Sequence, residues 1–163
     1  MHRIIVLGDV QTFYSDVIKQ LQEKNISASL FPLSHLCFRV ATMDAYETTH
    51  TSLKDISRSY SRHYFHQRPF SIFVLKKPLL FSKLHIVELV ELPSPKEDHP
   101  YPTGLEHIGF VLGNKLPAFQ KQYSDVLSDK KDRITFSNGH TAKFYTQSLW
   151  ETVEEEGQVF HPL

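Results

Sequence analysis

Two histidines stand in matching settings and are the residues of this chain best suited to metal chemistry. His35 lies in the run LSHLCFRVAT, which starts at residue 33, and His107 lies in GLEHIGFVLG, which starts at residue 104. Each is followed three residues later by a phenylalanine. Imidazole is the commonest metal ligand in proteins. Either two buried strands share this pattern by coincidence, or the chain repeats a unit whose halves face each other and place both imidazoles in one site.

The other candidate ligands are carboxylates. Cys37 is the only cysteine, so the chain has no internal disulfide and no CxxC metal clip, and a metal site has to consist of His, Asp and Glu. The run IVELVELP offers Glu88 and Glu91, which are three residues apart and therefore point to opposite faces of a regular strand. Periodicity does not choose between them, because both neighbourhoods are apolar.

The elements around these residues predict a β-α-β-β-β unit over residues 34–95. SHLCFRV is typical of a buried strand, and TMDAYETTHTSLKDISRSY, with Thr42 as its cap, is typical of a helix. The stretch RHYFHQRPFSIFVLKKPLLF is interrupted at Arg68-Pro69 and Lys77-Pro78. Because proline cannot sit inside a central ladder, these interruptions predict two short strands. KLHIVELVELP is the last strand of the unit.

A shortened copy of the unit is predicted over residues 104–163. LEHIGFVL is its first strand, and NKLPAFQKQYSDVLSDK is its helix. Asn138-Gly139 predicts a hairpin within RITFSNGHTAKFY. SLWETVEEEG predicts a closing helix that is capped by Ser148. At least one strand of the second unit is therefore reduced or missing.

The remaining sequence and the composition indicate a single α+β domain over residues 1–163. Residues 1–33 predict a helical N-terminal segment, capped by Asp9, ahead of the paired modules. Apolar content of 40% and charged content of 22% are typical of a globular protein. The 18 basic residues balance 18 acidic ones, which argues against nucleic acid as a partner. Apolar runs are too short for a membrane span and no signal-peptide pattern is present, so we expect a cytoplasmic monomer or homodimer.

A β-α-β-β-β unit written twice, with a histidine at the head of each first strand, resembles the vicinal oxygen chelate superfamily. That superfamily includes glyoxalase I, methylmalonyl-CoA epimerase, extradiol dioxygenases and bleomycin-resistance proteins. Within it, the ordered motifs look most like the YecM family; they are SHLCFRV, FHQRPFSIFVLKKPL, ELPSPK, YPTGLEHIGFVL and AKFYTQSLWETV. The resemblance implies two facing sheets that form a partly open barrel, with a divalent metal inside.

The resemblance also implies a function and a ligand set. The implied function is a metal-dependent enzyme of glyoxalase, epimerase or dioxygenase type that acts on a small molecule; the alternative is a metal-free protein that binds or sequesters a small ligand. His35, His107 and one carboxylate are the implied ligands. The superfamily pattern favours Glu88, whereas ELPSPK within the YecM-like family favours Glu91, which we prefer. Zinc, nickel, manganese and iron all suit this set.

Three further residues are candidates for contact with substrate. Arg39 follows His35 by four residues, so an unbroken strand places both on one face, and a guanidinium suits an anionic substrate. Arg68 is the second candidate for binding the anion. The last strand reads KFY where the family reads more like KFH, so Tyr145 replaces a histidine and the fourth ligand of many superfamily enzymes is absent. Tyr145 is the one catalytic candidate, and the reaction type stays open.

Overall fold

An open, barrel-like sheet with helices packed on it organises residues 3–163, the part of the chain that the computed structural model describes. Residues 1 and 2 of the predicted N-terminal segment lie outside this range. None of the helices described is long and apolar enough to cross a membrane. The elements, in chain order, are β1 (Arg3–Ile4), β2 (Gly8–Asp9), α1 (Val10–Glu23), β3 (Leu33–Arg39), α2 (Met43–Ile56), β4 (Ser57–Phe65), β5 (Arg68–Leu80), β6 (Ile86–Pro93), β7 (Gly104–Val111), α3 (Leu116–Gln122), β8 (Arg133–Thr135), β9 (Thr141–Tyr145), α4 (Leu149–Glu155) and β10 (His161–Pro162).

The large sheet repeats one strand pattern on both sides of its centre. Its order is β10-β4-β5-β6-β3-β7-β9-β8. In the first module β3 pairs in parallel with β6, and β5 and β4 continue antiparallel. In the second, β7 pairs in parallel with β9, and β8 follows antiparallel. Antiparallel pairing of β3 with β7 joins the modules into one continuous sheet instead of two separate ones. The predicted α+β architecture of paired modules is confirmed.

Side-chain caps start the helices where the sequence predicts. Asp9 accepts a hydrogen bond from the Thr12 backbone N–H at 2.9 Å, ahead of α1. Thr42 accepts one from the Ala45 backbone N–H at 3.1 Å, ahead of α2. Ser148 is part of a capping box that starts α4. Such caps satisfy backbone donors that have no partner within the helix.

Two predicted helices end earlier than expected. The helix predicted to continue to Tyr60 stops at Ile56, because Ser57 already has extended backbone angles (φ −110°, ψ 151°) and begins β4. The helix of the second module ends at Gln122. Beyond it the chain forms turns, in which the Leu127 backbone N–H donates to the Tyr123 carbonyl at 3.1 Å.

The prediction that prolines divide the next strands is wrong. β4 and β5 meet at His66 and Gln67, whose positive φ angles of 49° and 64° form a two-residue hairpin turn. β5 then continues through Pro69 and Pro78. Pro69 is only the second residue of this strand, and Pro78 lies where the pairing with β6 shifts register, before Leu79. Irregular pairing tolerates a residue that has no N–H.

The two faces of the sheet are packed differently. One face carries an apolar core against α1, α2 and α3, to which Leu36, Phe73 and Ile108 contribute. We call the other face, which carries His35, Glu91 and His107, the inner face. It has a smaller apolar cluster in its first module and polar groups elsewhere.

Residues 149–163, here called the C-terminal segment, cross the inner face of the first module. Val153 of α4 packs on Ile72, Val74 and Leu89. The segment then returns to the sheet edge, where β10 pairs with β4. These contacts cover the apolar part of the inner face.

Candidate metal centre

The register of three neighbouring strands brings three candidate ligands to one point of the inner face. Cys37 on β3 pairs with Glu91 on β6 and with His107 on β7. His35 lies two residues before Cys37, so it projects from the same face. His35 Nε2 lies 3.3 Å from His107 Nε2 and 3.4 Å from Glu91 Oε2. His107 Nε2 lies 3.5 Å from that same oxygen.

The three donor atoms form a nearly equilateral triangle of the size that a metal ion requires. A tetrahedral ion with metal–nitrogen distances of about 2.0–2.1 Å has edges of roughly 3.3–3.4 Å between its ligands. An octahedral ion at about 2.1 Å has edges of only roughly 3.0 Å. The observed edges of 3.3, 3.4 and 3.5 Å lie close to these values. The side chains present therefore fit a metal ion held by three protein ligands, with positions left open for a small molecule.

A one-residue shift in strand pairing supplies each histidine with a polar partner. The ladder between β3 and β7 skips Ser34 on one strand and Glu106 on the other, and each skipped residue directly precedes a histidine. Such bulges redirect side chains. Ser34 Oγ lies 2.8 Å from His35 Nδ1, and Glu106 Oε2 lies 2.6 Å from His107 Nδ1. Bonds of this kind orient histidines that bind metals, and here both rings aim Nε2 towards Glu91.

Glu106 determines the tautomer of His107. An ionised carboxylate only accepts hydrogen bonds, so His107 Nδ1 carries the hydrogen and Nε2 keeps its lone pair. The same Glu106 oxygen accepts a bond from Arg39 Nε at 3.1 Å. Burial opposes ionisation of Glu106, but His107 and Arg39 lower its pKa to about 2. Burial also lowers the pKa of His107, although Glu106 and Glu91 oppose this, so the neutral imidazole that a metal requires is favoured.

Ser34 can serve either tautomer of His35. Its oxygen accepts a hydrogen bond from the Leu149 backbone N–H at 2.7 Å, which ties the start of α4 to the site. The hydroxyl group can still donate to His35 Nδ1 or accept from it. His35 can therefore present either an N–H or a lone pair to Glu91, and a proton can satisfy the cluster when no metal is bound.

Glu91, and not Glu88, is the carboxylate that reaches the two imidazoles. Glu88 is 48% exposed, and its nearest cation is Arg58, at 3.8 Å. Glu91 is 12% exposed and lies beside both histidines. Burial opposes its ionisation, but the imidazoles hold its pKa well below the usual range. Opposite pleat positions account for the difference, since the two residues are three apart.

Small side chains make room for both imidazole rings. Gly109 pairs with His35, and a Cβ at this position would lie 2.7 Å from His35 Cε1. Cys37 pairs with His107 and is fully buried. Burial raises the pKa of Cys37 well above its usual value, so the thiol stays uncharged. Cys37, two residues after His35, therefore leaves space for His107. Gly109, two residues after His107, leaves space for His35.

A second grouping of ligand atoms, from Cys37, Glu106 and His107, is also compact. Its groups are less suited to a metal. Glu106 already accepts bonds from His107 and Arg39, and Cys37 is a buried thiol. The candidate centre is therefore the cluster of His35, Glu91 and His107.

The two predicted substrate-binding arginines are held by other groups of the protein. Arg39 pairs with Glu106 and lies over the Tyr101 ring, 4.4 Å from its centroid. Arg68 Nη1 donates to the Ser94 carbonyl at 3.0 Å. A role in substrate binding remains a prediction for both.

Tyr145, the catalytic candidate, lies beside the cluster. Its ring centroid is 5.5 Å from that of His35. Burial raises the pKa of Tyr145, so its hydroxyl stays protonated. Its catalytic role also remains a prediction.

Sequence reasoning missed Ser34 and Glu106, although a signal for them was present. In LSHLCF and LEHIGF, one polar residue directly precedes the histidine within an otherwise apolar run. A regular strand would point the side chains of these two neighbours to opposite faces, so only the bulges bring each pair together.

Comparisons with known proteins identify a family and a fold. The model of the family described as "YecM protein" matches residues 4–156. A solved structure described as "Structural Genomics, Protein EC4020" has a TM-score of 0.72 and 21% sequence identity, over 91% of this chain and 89% of that one. At this identity the likeness shows the fold alone. No curated protein matches the sequence.

Proposed function

The chain belongs to the YecM protein family, and from that premise we propose that it is a metal-dependent enzyme of the vicinal oxygen chelate type. Its substrate is a small molecule with two neighbouring oxygens. The proposed ligands are His35, His107 and Glu91, and zinc, nickel, manganese and iron are the candidate metals. Membership of the YecM family confirms the predicted family, whereas placement in the larger superfamily is part of the proposal.

The convergence of three acceptor atoms inside the sheet carries this proposal. Because His107 Nδ1 donates its hydrogen to Glu106, His107 Nε2 keeps a lone pair, and the lowered pKa of Glu91 keeps its side chain ionised. Acceptor atoms buried within 3.5 Å of one another need a proton or a cation between them. Two imidazoles and one carboxylate are a ligand set that catalytic metals use, which favours the cation.

The residues of the chain have separate tasks in such a site. A divalent metal held there supplies Lewis-acid polarisation of a substrate oxygen. Glu106 keeps the hydrogen of His107 on Nδ1, and Ser34 positions His35. Tyr145 can donate a hydrogen bond to a substrate oxygen next to His35. Ile72, which pairs with Glu91 and is 1% exposed, keeps water from the side of the first module.

Metal content and metal-linked stability test the proposal. Protein purified without chelator and without a nickel-affinity tag should contain a stoichiometric transition metal by elemental analysis. Added zinc, nickel or manganese should raise the melting temperature at pH 7.5, because a ligand that binds only the native state stabilises it. The rise should be much smaller at pH 5.5, since protons compete for the imidazoles.

Matched variants separate the proposed ligands from similar residues outside the cluster. Glu91→Gln should abolish the metal-induced rise, whereas Glu88→Gln on the opposite face should retain it. His107→Ala should abolish it as well. His140→Ala should not, because His140 is bonded to Asp16 at 2.6 Å, away from the cluster. Metal-free protein that metals do not stabilise at pH 7.5 would contradict the proposal.

The alternative function, a metal-free small-ligand binding protein, has one observation in its favour. Ser34 can donate to His35 Nδ1, which frees His35 Nε2–H to bond to Glu91, so the cluster can be satisfied without a metal. Stabilisation of metal-free protein by small apolar ligands, unchanged in Glu91→Gln, would support this function.

A further inference from the structure

The two halves of the inner face differ in chemistry. In the first module Ile72, Val74 and Leu89 form an apolar wall that the C-terminal segment covers. In the second module the residues of β8 and β9 on this face are polar; they are Arg133, Thr135, Thr141, Lys143 and Tyr145. A ligand at the candidate metal centre therefore meets polar groups on the side of β8 and β9.

Lys143 is the cation of this polar half that has no paired anion. Gly109 pairs with His35 on one side and with Lys143 on the other, so all three share a face. Gly109 puts no side chain between the lysine and the His35 ring. Within residues 3–163 the Lys143 ammonium has no hydrogen bond and no ion pair. Burial and repulsion from Arg133 lower its pKa, while the charge of Glu91 opposes the shift.

The charges around the cluster leave a positive excess once a divalent ion is bound. Arg39 is offset by Glu106 at 3.1 Å, and Arg133 is offset by Asp132 at 2.8 Å. The ion brings two positive charges, Glu91 removes one and Lys143 adds one. Uncompensated charge in a buried site is costly. A ligand with two negative charges would restore the balance.

We propose that Lys143 selects the substrate, and that the substrate is a small dianionic acid with oxygens on neighbouring carbons. One pair of oxygens faces the donor triangle, and the remaining carboxylate oxygens accept hydrogen bonds from the Lys143 ammonium. Bonds between ionised partners are the stronger kind. This inference rests on the proposed function, because the positive excess exists only when the metal is bound.

Calorimetric titration of the nickel-loaded full chain with oxalate and oxamate tests the inference. The two probes have similar shapes and the same pair of neighbouring carbons, but oxamate carries one negative charge less. Wild type should bind oxalate about tenfold or more tightly than oxamate, as expected for one charge-assisted contact. Lys143→Met should reduce this preference by about tenfold, to the metal ion's own preference for the dianion, and Lys143→Arg should keep most of it. Lys121→Met, on the exposed side of α3, is the matched control and should behave as wild type.

Nickel affinity, measured on the same samples, distinguishes two failures. Nickel binding with an oxalate preference that is equal in wild type and Lys143→Met overturns the inference alone. Failure of wild type to bind nickel overturns the proposed function and the inference with it. Oxalate binding of equal strength with and without nickel also overturns the inference, since the positive excess depends on the metal.

Discussion

Gly109→Ala adds a single methyl group next to His35 and should disable the metal site although no ligand is replaced. The new Cβ would lie 2.7 Å from His35 Cε1, 2.9 Å from its Nδ1 and 3.1 Å from the Tyr145 ring. The backbone at Gly109 does not have the positive φ that the other glycines adopt. Alanine is therefore strained only by these side-chain contacts.

The size of the effect follows from the distances. Carbon atoms in van der Waals contact lie at least about 3.5 Å apart. With 2.7 Å available, the His35 ring has to retreat by about 0.8 Å. Metal sites tolerate deviations of only about 0.2 Å in ligand distance. We expect metal affinity to fall by about 100-fold or more, beyond the range for lost outer partners, and the metal-free protein to lose about 1–3 kcal/mol from overpacking.

A double-mutant cycle with His35→Ala provides the assay. Zinc affinity is measured by competition with a chromogenic chelator for wild type and Gly109→Ala, and the free energy of unfolding of the metal-free protein is measured in urea for wild type, both single variants and the double variant. If Gly109 acts through the His35 ring, Gly109→Ala should cost little stability once that ring is removed. Unchanged zinc affinity in Gly109→Ala would refute the reasoning. Full additivity of the two losses would refute it as well.

Three further changes have defined outcomes. Glu106→Gln should lower zinc affinity by about 10–100-fold without unfolding the protein, because His107 loses a charged partner. The same chelator competition measures this, and an unchanged affinity would show that the hydrogen bond between Glu106 and His107 does not support metal binding. His50, which burial holds at a pKa of about 4 against 6.5, binds protons less readily in the folded state, so stability should be complete above pH 6.5 and fall by about 3 kcal/mol towards pH 4. Urea unfolding at both pH values should show a loss that is about 3 kcal/mol larger in wild type than in His50→Phe, and equal losses would contradict it. Ser148→Ala should cost about 1 kcal/mol by removing the capping box of α4, and an unchanged urea midpoint would show that the box contributes nothing.

The sequence was sufficient for the repeat and for the elements that carry it. The matching settings of His35 and His107 correspond to the neighbouring strands β3 and β7, which start the two modules, and the caps at Asp9 and Thr42 correspond to helix starts. These features are local, because a few neighbouring residues determine a cap or an apolar strand.

The sequence was insufficient where two strands determine the outcome jointly. The bulges at Ser34 and Glu106 are properties of the pairing between β3 and β7. For the same reason, Pro78 lies within β5 at an irregular stretch of pairing that its own neighbours do not reveal. The choice between Glu88 and Glu91 needed the direction of the pleat relative to β3.

The C-terminal segment gives the inner face a way to open. Its seven-residue helix α4 is too short to persist alone, and its two-residue strand β10 is a weak attachment. Elements held by so few contacts open locally at a free energy well below that of global unfolding. Backbone amides of α4 should therefore exchange with solvent faster than those of β3 and β7. The frequency of this opening, and not the width of a permanent channel, would then limit how quickly a molecule reaches the apolar half of the inner face.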